Sequence, residues 1–104
     1  KDYRALKFGA SVFCSYLQSM EKTIFSEHGK LISRRLVELR KKAGLTQRAL
    51  AKELGRQPSF VAHYELGERR IDMAEFYWIC KACGASPEKE AAALMRAFGK
   101  LEAG

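Results

Sequence analysis

The feature that most constrains this chain is a series of short segments with helical spacing of apolar residues, each followed by a glycine. Apolar side chains recur at spacings of three, four and seven residues, which is the period of an amphipathic helix. No alternating run of β-branched residues closed by Asn-Gly or Asp-Gly is present, so a β-hairpin is not predicted. The segments and their tight turns predict five short helices packed into a compact all-α domain.

The first two segments are bounded by recognisable start and stop signals. The first carries an apolar stripe at positions i, i+4, i+7 and i+11, made of Ile32, Leu36, Leu39 and Ala43. Gly44 is predicted to end it, because glycine tolerates the left-handed conformation that follows a helix. Thr46 is a good N-cap for the second helix, which is predicted to run to Leu54 and to end at Gly55.

Three further helices are predicted downstream. Pro58 suits the first position of the third helix, whose buried side is predicted to consist of Phe60, Val61 and Tyr64. Asp72 and Glu75 have the spacing of a capping box at the start of the fourth helix. The fifth is predicted to run from Pro87 to Gly99, with an apolar face of Ala91, Leu94, Met95 and Phe98.

The N-terminal segment has a weaker pattern. Four apolar residues lie at helical spacing, Phe13, Leu17, Met20 and Ile24, which is compatible with one additional N-terminal helix. Met20 is the first methionine, so residues 1–19 are open to interpretation as an upstream extension. On these grounds the chain divides into an N-terminal extension at residues 1–29, a central domain at residues 30–86 and a C-terminal helix at residues 87–104.

Positive charge is concentrated in the middle of the chain. The net charge is +7, and residues 30–70 alone carry eleven basic and four acidic side chains. The flanks are nearly neutral: residues 1–29 carry four basic and three acidic groups, and residues 71–104 carry four and five. A local excess of this kind is typical of a surface that binds a polyanion. Four basic residues of the first helix are interpreted as a solvated face that attracts nucleic acid at long range: Arg34, Arg35, Lys41 and Lys42.

The sequence argues against membrane, metal and enzyme functions. No apolar run approaches the roughly 20 residues of a membrane span. The three cysteines are too few for a disulfide framework, which fits a reducing cytoplasm. Cys80 and Cys83 share a helical stripe with Phe76 and Ile79, so they are interpreted as core residues rather than a metal pair. Without a convergent acid–base pair, an activated nucleophile or a phosphate-binding glycine loop, no catalytic residue, metal site or cofactor is predicted.

The second and third helices have the spacing of a helix-turn-helix. They are joined by a short turn at residues 55–57, as expected for this motif. The second helix of such a motif enters the DNA major groove, where short or polar side chains near its N-terminus contact base edges. Base contacts are therefore predicted for Gln57, Pro58, Ser59, Ala62 and His63. The positive end of each helix dipole also favours a phosphate, near Gln47 and near Gln57.

Residues 31–86 resemble the xenobiotic-response-element (XRE) family, the lambda-repressor-like and Cro-type helix-turn-helix proteins. The resemblance rests on a spaced string of motifs: Arg40, Ala43-Gly44-Leu45-Thr46-Gln47, Leu50-Ala51, Leu54-Gly55, Phe60-Val61, Tyr64-Glu65, Gly67 and Arg69-Arg70-Ile71-Asp72. It implies a five-helix bundle in which the helix at residues 58–66 reads the DNA. It also implies a structural ion pair between Arg40 and Glu65 that ties the first helix to the third.

The same resemblance implies contacts to the DNA backbone. Gln47 is implied to anchor a phosphate at the start of the second helix, and Arg69 and Arg70 match a loop that contacts the backbone. The full predicted phosphate-contacting set is Gln47, Arg48, Arg56, Arg69 and Arg70.

Three departures from the family pattern leave the target sequence unpredicted. Ala62 and His63 stand where such proteins usually carry serine and lysine, so one hydroxyl and one cation are missing. Pro58 occupies a position where glutamine often contacts a base. Leu66 replaces a more usual polar residue and is predicted to be an exposed apolar side chain.

The sequence thus predicts a sequence-specific, DNA-binding transcriptional regulator, with repression by promoter occlusion as the simplest mechanism. A domain this small buries limited surface on DNA, so a homodimer on a two-fold site is expected. Its interface is predicted on the fifth helix or the N-terminal segment, with Tyr77, Trp78 and Phe98 as candidates. The alternative left open is an antitoxin-type module of a toxin–antitoxin pair, which binds a partner protein as well as double-stranded DNA.

Overall fold

The computed structural model describes residues 27–103 as an all-helical bundle. The helices of this part of the chain are α1 (Glu27–Lys42), α2 (Gln47–Leu54), α3 (Pro58–Glu65), α4 (Met73–Ala82) and α5 (Pro87–Ala103). The predicted all-α architecture of five helices is therefore confirmed for these residues. The predictions on the N-terminal segment, including the additional helix and the spacing of Phe13, Leu17, Met20 and Ile24, lie outside the described residues.

Local caps account for the helix boundaries on either side of the motif. The Thr46 side chain accepts a hydrogen bond from the Ala49 N–H at 3.0 Å and so begins α2. Gly55 follows α2 with φ +67°, and its N–H donates to the Lys52 carbonyl at 3.1 Å. This left-handed residue reverses the chain direction at small cost, because glycine has no Cβ to clash. The tight turn between α2 and α3 therefore depends on glycine at this position.

The start of α4 is a complete capping box. The Glu75 N–H donates to Asp72 Oδ1 at 2.7 Å, and the Asp72 N–H donates to Glu75 Oε1 at 3.0 Å. Two N–H groups that have no partner inside the helix are thereby bonded. The box also fixes the direction of the Glu75 side chain, which matters for the site described below.

The end of the last helix differs from the prediction. α5 does not stop at Gly99 but continues through it to Ala103. Gly99 is not among the glycines of the described residues that have a positive φ, so it is an ordinary helical residue here. Glycine inside a helix costs only about 1 kcal/mol relative to alanine, and it ends a helix only where the chain then turns away.

The core is built from one face of each of the first four helices. Its buried members are Leu36 and Leu39 of α1, Leu50 and Ala51 of α2, Phe60, Val61 and Tyr64 of α3, and Ile79 and Cys80 of α4. α3 packs on both α1 and α2, and α5 packs on α1 and α4. This arrangement holds α3 from behind and leaves its outer face uncovered within the described bundle.

Two side chains, Met95 of α5 and Arg35 of α1, depart from their predicted environments. Leu94 is buried as expected, whereas Met95 is 59% exposed, because adjacent helical residues point about 100° apart. Arg35, which the sequence predicts on a solvated basic face, donates from Nε and Nη2 to the two oxygens of Glu90 at 2.7 and 3.0 Å. Hydrogen bonding to Arg35 also lowers the pKa of the Glu90 carboxyl. Arg35 therefore joins α1 to α5.

Candidate nucleic-acid interface

α3 separates a buried face from an exposed one. Phe60, Val61 and Tyr64 face the core, and the last two are fully buried. On the other side, five residues are exposed or partly exposed, and they are the ones predicted to contact bases: Gln57, Pro58, Ser59, Ala62 and His63. Gln57 is the N-cap of α3 but makes no side-chain capping bond, so its amide is not occupied by the helix it begins. The polar groups at this end of α3 are thus presented outward from a rigid backbone.

An ion pair with low exposure ties α3 to α1. Arg40 Nε and Nη2 donate to Glu65 Oε2 and Oε1 at 2.7 and 3.2 Å, and the two side chains are 12% and 6% exposed. The paired hydrogen bonds to Glu65 raise the pKa of the Arg40 guanidinium above its ordinary value. Arg40 Nη1 also donates to the Leu45 carbonyl at 2.8 Å, so the same group braces the turn that leads into α2.

Gln47 belongs to this network. Its side-chain Nε2 donates to Glu65 Oε1 at 2.8 Å. Gln47 was predicted from the resemblance to anchor a phosphate, and the structure shows that its amide group is already oriented by Glu65. Because an amide NH₂ has two donor hydrogens, one remains after this bond is made. The first residue of α2, the end of α3 and α1 are in this way held together by one carboxylate.

The predicted phosphate-contacting arginines occupy two different surroundings. Arg48 and Arg70 are exposed, at the first turn of α2 and in the loop after α3. Arg56 and Arg69 lie against the Phe60 ring, with their Cζ atoms 4.1 and 4.7 Å from its centroid. Chain positions before and after α3 are thereby brought together on one side of that helix.

Glu75 is the residue of this site that the sequence analysis missed. Arg69 Nη1 and Nη2 donate to its two oxygens at 3.0 Å each, and Arg56 Nη2 lies 3.4 Å from Oε2. Hydrogen bonding to Arg69 lowers the pKa of Glu75, and the same bond raises the pKa of Arg69. The sequence predicts Glu75 only as a member of the capping box. No local spacing rule joins it to Arg56, which is nineteen positions away.

Among residues 27–103 no group of three His, Cys, Asp or Glu side chains is placed to hold a metal ion, and no helix there is long and apolar enough to cross a membrane. Cys80 is fully buried and Cys83 partly so, and burial raises the pKa of the Cys80 thiol to about 11. At neutral pH this thiol is protonated and packs as a small apolar side chain.

Two short helices are joined by a three-residue turn, the second presents a polar face outward, and arginines precede and follow it in the chain. These features define a helix-turn-helix DNA-binding domain. The family described as "Helix-turn-helix domain" matches residues 31–94 of the chain. A solved structure, an XRE-family like protein from Pseudomonas syringae pv. tomato str. DC3000, is similar at 37% identity with a TM-score of 0.67. The match covers 75% of this chain and 95% of that one. No protein of curated function matches the sequence.

The chain therefore belongs to the XRE family of helix-turn-helix proteins, as its resemblance predicted. It is a DNA-binding regulator of this class.

Proposed function

We propose that this protein is a sequence-specific transcriptional regulator that inserts α3 into the major groove and represses by covering a promoter. The observation that carries the proposal is the division of α3 between a core face and a polar outer face. A recognition helix needs a fixed backbone, and Val61 and Tyr64 supply it because both are fully buried. The outer face then has one orientation relative to the rest of the domain.

The base contacts are assigned by the chemistry of the exposed side chains. An amide such as that of Gln57 suits adenine, because it donates and accepts hydrogen bonds at the same time. Ser59 and His63 offer further polar groups, and the apolar surfaces of Pro58 and Ala62 suit a thymine methyl. These five residues would set the target sequence.

The backbone contacts are assigned to the helix start and the flanking arginines. The N-terminus of α2 offers main-chain N–H groups beside Gln47 and Arg48, an arrangement that favours a phosphate. Arg56 precedes α3 in the chain, Arg69 and Arg70 follow it, and these side chains would contact phosphates beside the groove. Such contacts fix the register of the protein on the duplex but carry no sequence information.

A homodimer completes the proposal. Two copies on a two-fold site double the buried surface, and half-sites one helical turn apart are expected. Tyr77 and Trp78 are the favoured interface residues, because they are 44% and 59% exposed and pack edge to face at 5.0 Å. Both lie on α4, so the proposed interface moves from the fifth helix to α4. Phe98 is a weaker candidate, since its ring already packs on His28 at 4.9 Å within the protomer. A cytoplasmic protein without catalytic activity is part of the same proposal.

A second candidate is an antitoxin-type module that binds a partner protein. It is favoured by an apolar groove on the side formed by α1, α4 and α5, where Met73 and Met95 are 78% and 59% exposed. No residue of α2 or α3 lines this groove. A protein partner bound there would leave the DNA-facing side accessible. Reversing Arg69 and Arg70 to glutamate would then abolish DNA binding and leave partner binding intact.

The experiment that tests the first proposal is selection of bound duplexes from a random pool at two salt concentrations. Recovery of a palindromic site with two half-sites, bound less tightly as salt rises, is the expected result. Weak binding without sequence preference would contradict the sequence-specific function and favour the protein-partner candidate. Transcription from a promoter that contains the recovered site then distinguishes repression from activation.

A further inference from the structure

Two arginines that are distant along the chain share one aromatic ring. Arg56 precedes α3 and Arg69 follows it, yet both guanidinium groups lie within 5 Å of the centroid of the Phe60 ring. Phe60 is only 8% exposed, so the ring is held by the core. A cation over an aromatic face is attracted by the partial negative charge of the π system. The ring therefore gives both arginines a common, immobile support.

A single carboxylate bonds to both guanidinium groups. Glu75 receives two hydrogen bonds from Arg69 and one longer bond from Arg56. Its own position is set by the capping box with Asp72. Glu75 is 15% exposed, whereas the side chains of Arg56 and Arg69 remain 43% and 38% exposed. The carboxylate is thus covered by two cations whose outer sides still face solvent.

The carboxylate is needed to keep the two cations together. Two positive charges a few ångströms apart repel each other, and the Phe60 ring alone offers each guanidinium only a weak attraction. The negative charge of Glu75 offsets this repulsion and sets the directions of the guanidinium planes. Each guanidinium has five N–H donors, and Glu75 and the Arg70 carbonyl occupy only some of them. Donors therefore remain for a further anion.

We propose that Glu75 is a positioning residue for DNA binding, which with the Phe60 ring holds Arg56 and Arg69 as one preorganised pair that contacts the DNA backbone. The inference rests on the proposed function, since it takes α3 to lie in the major groove. Preorganised guanidinium groups bind phosphate at a smaller entropic cost than free side chains do. Phosphate contacts of this kind set the register of α3 on the bases.

A positioning role for Glu75 and the change in net charge predict opposite effects of Glu75→Gln on the affinity for DNA. Replacing Glu75 by glutamine removes one negative charge from a surface that faces a polyanion, which by itself strengthens binding. A positioning role requires the same substitution to weaken binding, because the two arginines are no longer held together. Glutamine at this position preserves the capping box, so α4 keeps its start.

The test compares full-length variants on the site recovered from the random pool, with the dissociation constant measured over a range of salt. Glu75→Gln is expected to weaken binding about tenfold or more, the order expected for one charge-assisted hydrogen bond. The slope of log K against log salt is expected to become shallower by up to about 2, since each lost phosphate contact contributes about 0.9. The double variant Arg56→Gln with Arg69→Gln should show the same shallower slope.

Three further variants make the result specific. Glu68→Gln removes the same charge from an exposed side chain in the loop after α3, and it should bind as tightly as the wild type or more tightly. Adding Glu75→Gln to the double arginine variant should cause no further loss, because the positioned groups are already absent. Phe60→Leu, which removes the π face and keeps most of the apolar volume, should also make the salt slope shallower.

The outcomes separate the inference from the function on which it rests. Wild-type selection of a site, together with Glu75→Gln binding that equals or exceeds the wild type at an unchanged slope, overturns the inference alone. Absence of any sequence-selective binding by the wild type overturns both. A urea titration gives the folded fraction of each variant. Loss of folding lowers the apparent affinity without changing the salt slope, so each dissociation constant is corrected for the folded fraction. A corrected affinity that is weaker than the wild type at an unchanged slope also overturns the inference.

Discussion

Replacing Arg40 by methionine removes the cation of the ion pair with Glu65 and keeps an unbranched side chain of similar reach. The Glu65 carboxylate is 6% exposed, so water replaces the lost partner poorly. Its hydrogen-bond donor among the described residues would then be the amide of Gln47 at 2.8 Å. The Leu45 carbonyl would lose its bond from Arg40 Nη1 as well.

The expected loss of stability follows from this burial. Breaking a buried pair by removing one partner costs about 3–5 kcal/mol, because an uncompensated charge is left behind. The remaining bond from Gln47 and the partial exposure of Arg40 place the expected loss near the lower end, at about 3 kcal/mol. For a domain of this size each kcal/mol lowers the Tm by about 4–8 °C, so the melting temperature should fall by about 12–24 °C.

The assay is a urea titration of Arg40→Met, Glu65→Leu and the double variant, followed by circular dichroism. The double variant should recover about 2 kcal/mol relative to the sum of the single losses, because two apolar side chains replace a buried pair at little cost. Strict additivity, or a loss below about 1 kcal/mol for Arg40→Met, would show that this pair does not hold α3 to α1.

Three other predictions concern a turn, an ion pair and the recognition surface. Gly55→Ala should destabilise the fold by about 1 kcal/mol or more because its φ is +67°, whereas Gly99→Ala should stabilise it by about 1 kcal/mol because Gly99 lies inside a helix. A Cβ added at either position would meet no atom within 4 Å, and equal signs in thermal melts would contradict the prediction. Glu90→Gln should lower the Tm at pH 7, and the difference from the wild type should shrink below pH 4.5. The hydrogen bond from Arg35 lowers the pKa of Glu90 in the folded state. The stabilisation is therefore fully present above the pKa of the unfolded state and disappears as the pH falls through the pKa of the folded state. A deficit independent of pH would argue against the ion pair. Gln57→Ala should relax sequence preference at one base position at a cost of about 1–3 kcal/mol, whereas Arg48→Ala should weaken binding to all sequences alike; selection with both variants checks this.

Most of the helix boundaries were predictable because they depend on neighbours within four positions. Thr46 bonds to a residue three positions away, and so does Asp72. Gly55 ends α2 through bonds to the preceding turn. Interactions this local are encoded in short spacings of residue types, which a sequence displays directly.

Gly99 shows where a local signal fails. Its residue type is the same as that of Gly55, yet the chain continues as a helix beyond it. A glycine permits a helix to end but does not force it, and the outcome depends on what the following residues do. In α5 the next residues remain helical, with Lys100 in a last turn that favours a positive charge.

The features of the site can likewise be separated into those that the sequence shows and those that depend on tertiary packing. The sequence by itself determined the five helical segments, the helix-turn-helix spacing and the family resemblance, and through that resemblance the pairing of Arg40 with Glu65. It also displayed every arginine, because charge is a property of the residue type.

Only the tertiary structure decided which of those arginines are bonded within the protein and to what. Arg35 bonds to Glu90 across 55 positions, and Glu75 gathers Arg56 and Arg69 from both sides of α3. The physical reason is distance along the chain. No spacing rule relates residues from separate helices, and their contacts exist only after the apolar faces of those helices have packed into one core.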